Sequence, residues 1–325
     1  MIDGRYKHFY QNTVAYSTAP LAPPRHNGTA VRTRHLLQLV LLSALWGASF
    51  LFIRIASPAL GPHVAAALRI GLATLTLVAI MRATREPWPW RHWRELAGLG
   101  TLTVALPFLL YAYAALHLPA GYSALLNTMV VPFGVLASAW MKEDTLSLRK
   151  WLGCACGFAG VALIVRLGPV EPSPTLLLAA LACMSAAACY GVCTPWMKRA
   201  TQRISPLAIA AGIHAAALVL LVPGAVWDWH QAQFTLPALL AVAVMGVVTS
   251  GLAYWLNLRV LSQISPVAAM SSAFMIPLFG VAWGSLFLDE ALGPGMLWGG
   301  ALVLLATTLV TGFNPLRLLA FLRPR

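Results

Sequence analysis

Residues 62–81, PHVAAALRIGLATLTLVAIM, decide the fold. Arg69 is the one fixed charge in a stretch that is otherwise apolar, small or hydroxyl-bearing, apart from His63. About 20 such residues wound as a helix rise about 30 Å, the thickness of a bilayer's hydrocarbon core. Pro62 at the front fits a first helical turn, where the missing N–H has no partner in any case. The same pattern recurs along the chain, giving ten runs: Leu36–Ala56, Pro62–Met81, Leu96–Leu116, Ala120–Met141, Trp151–Leu167, Thr175–Trp196, Pro206–Val222, Pro237–Leu258, Pro266–Leu288 and Pro294–Phe313. Each run is apolar on all sides. Strands of a membrane β-barrel would be about ten residues long and alternate in polarity, so that architecture is excluded.

Composition agrees with an all-α membrane protein of ten transmembrane helices. The 325 residues are 59% hydrophobic and 10% charged, against about 45–50% and about 25% in soluble domains. A net charge of +13 in a soluble chain would suggest a nucleic-acid partner. Here the basic residues sit in the gaps between apolar runs, where they set topology and meet anionic headgroups, so the expected partner is the lipid bilayer and not nucleic acid. Nineteen of the 22 Lys and Arg fall in the leader, in alternate gaps and in the tail. Both termini are therefore expected on the cytoplasmic side of the inner membrane. Residues 1–35 form a polar leader, expected to be disordered, without the apolar core and cleavage site of a signal peptide; residues 314–325 form a basic tail. The five cysteines all lie in apolar runs, which disfavours a disulfide framework.

An internal repeat organises the runs. At an offset of 144 residues Trp46-Gly47 falls on Tyr190-Gly191, Arg54 on Lys198 and Pro62 on Pro206. The order continues with 118–123 against 264–269, Pro132 close to Pro277, and Glu143 and Gly153 against Glu290 and Gly300. Two halves of five helices, residues 36–167 and 175–313, follow from this register. Five is odd, so the second half enters the membrane from the opposite face, giving an inverted repeat. Such repeats place a site at their interface near the midplane and expose it to each side in turn.

These residues carry a resemblance. Leu45-Trp46-Gly47-Ala48-Ser49-Phe50, Arg69, Pro132 followed by Glu143, Gly153, Gly157 and Gly160, then Pro277 with Asp289-Glu290 and Gly299-Gly300, are similar in their order to the EamA-type family of the drug/metabolite transporter superfamily. The likeness runs over Leu36–Phe313. It implies an inner-membrane carrier, commonly an exporter of amino acids or other small metabolites, with no cofactor, acting as a monomer or homodimer.

Several residues are candidates for the transport site. Arg69 lies seven residues into its helix, about 10 Å along the axis, where a guanidinium is costly unless it meets a wet cavity or a partner. It either attracts a substrate carboxylate or holds its helix by snorkelling and carbonyl capping. Pro132 and Pro277 each remove an N–H from a helix, freeing a carbonyl and allowing a bend, which suits hinges or static kinks. Trp46, Phe50, Tyr111, Tyr254 and Trp255 offer aromatic walls for the small-molecule substrate, although any one of them also suits a lipid-facing place. Asn127 needs a partner in a helix or cavity. His214, near the position equivalent to Arg69, either couples a proton or packs as a neutral imidazole. Glu143 and Glu290 precede helices, whose positive ends a carboxylate favours. Gly153-x-x-x-Gly157 suits close helix packing, within the chain or at a dimer seam.

Absences narrow the class. None of the nine acids lies mid-run, so an antiporter built on a membrane carboxylate is disfavoured. The segment Gly121-Tyr122-Ser123-Ala124-Leu125 lacks the second glycine of a serine elbow, and no phosphate-gripping loop occurs. Cys189 and Cys193 share a helix face with no His or carboxylate beside them, so no metal is expected. A carrier is the leading expectation; an intramembrane enzyme, a channel-like permease and a carrier of drug-like solutes are the alternatives.

Overall fold

The computed structural model describes residues 31–117, 120–165, 173–288 and 294–313. These residues form helices and connecting turns, with no strand among them. In chain order the α-helices are α1 (Thr33–Leu60), α2 (Pro62–Ala83), α3 (Trp93–Gly100), α4 (Leu106–His117), α5 (Ala120–Asn127), α6 (Val130–Trp140), α7 (Leu148–Val165), α8 (Pro174–Ala200), α9 (Pro206–Asp228), α10 (Leu236–Val244), α11 (Ala253–Leu261), α12 (Pro266–Met270), α13 (Ser272–Leu288) and α14 (Pro294–Thr311). Among the described residues five stretches are long and apolar enough to cross a membrane, at Pro62–Ala83, Pro174–Ala200, Pro206–Gln231, Leu236–Leu261 and Pro266–Phe287, and shorter apolar ones cover Leu125–Trp140 and Leu297–Thr311. Their outward faces are apolar, with Leu75, Val219 and Leu297 all well exposed, as lipid contact requires.

Local chemistry sets the starts. Ser173, Ser205 and Ser265 each precede a proline at the first helical position, and each hydroxyl accepts from the backbone N–H three residues on. Gly61, at φ 71°, turns the chain between α1 and α2.

Two of the expected continuous runs contain π-helical segments. Thr101–Ala105 joins α3 to α4, and Met245–Leu252 joins α10 to α11. They begin 144 residues apart, at the repeat offset. Two other runs are interrupted: Thr128 and Met129 separate α5 from α6, and Ser271 separates α12 from α13. Pro132 follows the first break inside the opening turn of α6, and Pro277 follows the second within α13. The chain thus breaks just upstream of both prolines.

The repeat is visible as crossed packing. A Cβ on Gly47 of α1 would lie 2.8 Å from Phe279 Cβ and 3.0 Å from Gly280 N and Ile276 O of α13. A Cβ on Gly191 of α8 would lie 2.7 Å from Phe133 Cβ and Val130 O and 2.8 Å from Gly134 N of α6. Every member of the second contact is the repeat mate of a member of the first. Each half therefore seats its glycine on the broken run of the other half. Helices α7 and α14 pack on each other, with Gly153 against Ala306 and Gly160 against Gly299. Gly157 meets the ring of Phe274. The small-residue spacing of α7 is thus used inside the chain.

At the basic end of the bundle, three carboxylates of the first half converge on residues 199–205 of the second. Arg199 Nε donates to Glu143 Oε1 at 2.6 Å, Arg203 Nη2 to Glu95 Oε1 at 2.7 Å, and the Ser205 hydroxyl to Glu86. Glu143 therefore serves an arginine across the halves and not the start of the next helix. Two non-glycine residues in the left-handed region, Arg85 (φ 56°) and Lys142 (φ 60°), end α2 and α6 and aim Glu86 and Glu143 at these partners. That conformation costs roughly 1–2 kcal/mol per residue. At the opposite end, His63 Nδ1 lies 2.6 Å from Asp228 Oδ2, tying the start of α2 to the end of α9. The expectations for residues 1–30, Arg166, Glu171, Asp289, Glu290 and 314–325 fall outside the described residues.

Candidate functional site

Arg69 sits in α2 at 8% exposure, where α2 meets the π segment Met245–Leu252 of the second half. The approach is close because residue 246 is glycine: a Cβ there would lie 2.6 Å from Leu72 Cβ and 2.8 Å from the Arg69 carbonyl. A π turn carries one extra residue per turn and commonly marks a functional position. Here it turns two successive hydroxyls toward α2. Arg69 Nε donates to Ser250 Oγ at 2.6 Å, and Nη2 reaches Thr249 Oγ1 at a long 3.5 Å. On the other side the guanidinium lies over the Phe108 ring of α4, 4.6 Å from its centroid.

Other aromatic groups of both halves sit on the elements that pack around this cation. Trp46 Nε1 donates to the Thr249 carbonyl at 3.1 Å, so α1 holds the residue that faces Arg69. His214 packs edge-on against Tyr254, with ring centroids 4.9 Å apart. Its Nδ1 lies 2.8 Å from the Ala210 carbonyl and must be the donor, since a carbonyl only accepts. Tyr190, on α8, stacks on Tyr111 of α4 at 6.4 Å between centroids. The Tyr111 hydroxyl donates to Asn127 Oδ1 at 2.6 Å, across to the last residue of α5 and next to the Thr128 break. A polar and aromatic group of side chains thus spans both halves, with Asn127, Tyr111 and Tyr190 near the break after α5 and Arg69, His214 and Tyr254 on the helices beside it.

Of the expected site residues, Arg69, Trp46, Tyr111, Asn127, Tyr254 and His214 belong to this group. The Trp255 ring lies under the Arg259 guanidinium at 5.5 Å. The Phe50 side chain lies outside the described residues. Pro277 is buried in α13 and Pro132 half-buried in α6, each downstream of an interruption. The sequence reading missed Tyr190, Phe108, Thr249 and Ser250. Tyr190 was within reach, as the repeat mate of Trp46; the hydroxyls carry no local signal, because only the π turn aims them.

No group of three or more His, Cys, Asp or Glu side chains that could hold a metal gathers among the described residues. An apolar groove of about 320 Å³ lies between α2 and α9, lined by Gly71, Leu75, Leu218, Val222 and Trp229 among others. It offers no charged side chain and is separate in chemistry from the Arg69 group.

A bundle of apolar helices in two matched halves, with a buried polar group where they meet, defines a multi-pass membrane protein. A model of the EamA-like transporter family matches the chain twice, over residues 34–166 and 177–312, and the chain belongs to that family. The two matches coincide with the crossed halves of the fold. The chain is 26% identical to the transporter YvbV of Bacillus subtilis over 86% of this chain and 92% of that protein. It is 26% identical to PecM of Dickeya dadantii over 82% and 88% of the two chains. It is 27% identical to the threonine/homoserine exporter RhtA of Salmonella typhimurium over 72% and 77%. A solved crystal structure shares the fold, with a TM-score of 0.73 and 18% identity over 86% of this chain and 99% of the other.

Proposed function

We propose that this protein is an inner-membrane secondary carrier, and not an enzyme, that moves small metabolites by alternating access and works as an exporter. Ten spans in two inverted five-helix halves, with both termini cytoplasmic, complete the reading. The observation that carries it is the buried group around Arg69, built from α1, α2 and α4 of one half and α8, α9 and the π segment of the other. A site made jointly by two halves changes its access when they rock, whereas a channel needs no such division. The breaks at Thr128–Met129 and Ser271, each followed by a proline, serve as the hinges. Arg69, Trp46 and Tyr254 hold the substrate, and Tyr111 and Asn127 orient it. His214, donating to Ala210, acts as a packed neutral imidazole, and proton coupling through it is the second role open to it. Amino acids or related compounds are the proposed cargo, in keeping with the relative RhtA, a threonine/homoserine exporter.

Counterflow in proteoliposomes tests this. Vesicles preloaded with an amino-acid and metabolite mixture should accumulate labelled external substrate in a saturable manner. Flux that is linear in concentration and indifferent to the preloaded compound contradicts a carrier.

A further inference from the structure

Arg69 carries a buried charge that meets no carboxylate among the described residues. Glu86, the next acid along the chain, is seventeen residues away, roughly 25 Å along a helix. No acid occurs anywhere in the apolar runs, and no carboxylate lies within 4 Å of Arg69 among the described residues. His214 cannot balance it, since imidazole is neutral or cationic. The hydroxyls of Ser250 and Thr249 engage one N–H firmly and a second weakly, out of the five that guanidinium offers. A desolvated cation with unused donors is costly until an anion meets it.

We infer that the substrate itself brings the counter-charge: the Arg69 group selects carboxylate anions with an apolar or aromatic body over zwitterions and cations. The inference rests on the carrier reading and, within its proposed cargo, favours the related compounds over the zwitterionic amino acids themselves. A carboxylate matches the planar fork of guanidinium with two parallel N–H bonds, and Phe108, Tyr190, Tyr254 and Trp46 supply walls for the body. The ammonium of a zwitterion finds no carboxylate among the described residues, and the aromatic faces replace only part of its hydration. An amine of the same shape meets a like charge as well. Within the range of amino acids and related compounds, the deaminated acids are therefore the preferred cargo.

Three probes with one carbon frame separate the charge states: 3-phenylpropionate, phenylalanine and phenethylamine. Binding to the purified full chain in detergent is measured by calorimetry, beside counterflow of the same three compounds. The expected order is 3-phenylpropionate tightest by tenfold or more, phenylalanine weaker, phenethylamine weakest, since a charge-assisted pair contributes about that factor. Arg69→Gln should weaken 3-phenylpropionate by about tenfold and leave phenethylamine unchanged or improved. Arg69→Lys keeps the charge and should keep the order, with a smaller spread; it decides the matter if the glutamine variant does not fold. Equal or reversed affinities, no binding of any probe, or unchanged 3-phenylpropionate affinity in Arg69→Gln overturns the inference. The expected binding order without counterflow upholds the anion site and overturns only the carrier reading.

Discussion

The crossed glycine contacts make a sharp quantitative test of the packing. In Gly191→Ala the new methyl falls 2.7 Å from Phe133 Cβ and Val130 O and 2.8 Å from Gly134 N, where ordinary contact begins at 3.4 Å. All three atoms are backbone or the first side-chain carbon, so no rotamer change relieves them. Helices α8 and α6 must separate by roughly 0.6–0.7 Å, and overpacking of this kind costs typically 1–3 kcal/mol. The better helix propensity of alanine returns about 0.8–1 kcal/mol. Three simultaneous clashes put the cost in its upper range, leaving a net loss of about 1–2 kcal/mol. Gly47→Ala meets the mate contact on α13 and should lose a similar amount. Gly98→Ala is the control, because nothing lies within 4 Å of its new methyl. It should be stabilising by about 0.5–1 kcal/mol. Denaturant unfolding of the three variants in one detergent reads the difference directly. If Gly191→Ala and Gly47→Ala prove as stable as Gly98→Ala, the crossed packing of the halves is wrong.

Three further outcomes are expected. Burial holds the Glu86 carboxyl above its ordinary 4.5. The folded state then favours the protonated form, so this stabilisation is full below about pH 4.5 and is lost as pH rises through the raised value; Glu86→Gln should flatten that part of a stability–pH curve measured from about pH 4 to pH 7. Arg203 and Glu95 have side-chain exposures of 56% and 16%, so a double-mutant cycle with Arg203→Gln and Glu95→Gln should give less than about 1 kcal/mol of coupling, falling as salt is added. Tyr111→Phe and Asn127→Ala remove the two ends of one hydrogen bond and should each raise the apparent KM for counterflow several-fold, with the double variant little worse than the singles; fully additive losses would separate their roles.

Much of this architecture is written in the chain. Apolar runs of bilayer length locate the helices, and the 144-residue register places Gly47 and Gly191, which do make mated contacts. Arg69 stood out as one cation in an apolar run, and Asn127 as an amide needing a partner, which Tyr111 supplies. The π segments were not legible, since an extra residue in a turn depends on what the helix packs against and not on its own propensities. Thr249 and Ser250 stayed hidden for that reason. The grip of Glu86, Glu95 and Glu143 on residues 199–205 was equally hidden, because each carboxylate sits far in sequence from its partner.

The central claim is that the two halves move against each other around the Arg69 group. Its most direct test replaces Glu95 and Arg203, which face each other across the halves, with cysteine in a background whose five native cysteines are changed to alanine. A short bifunctional thiol reagent then ties the basic end shut. The account requires counterflow to stop on cross-linking and to return when a cleavable linker is reduced. Unchanged counterflow with the link in place would contradict it.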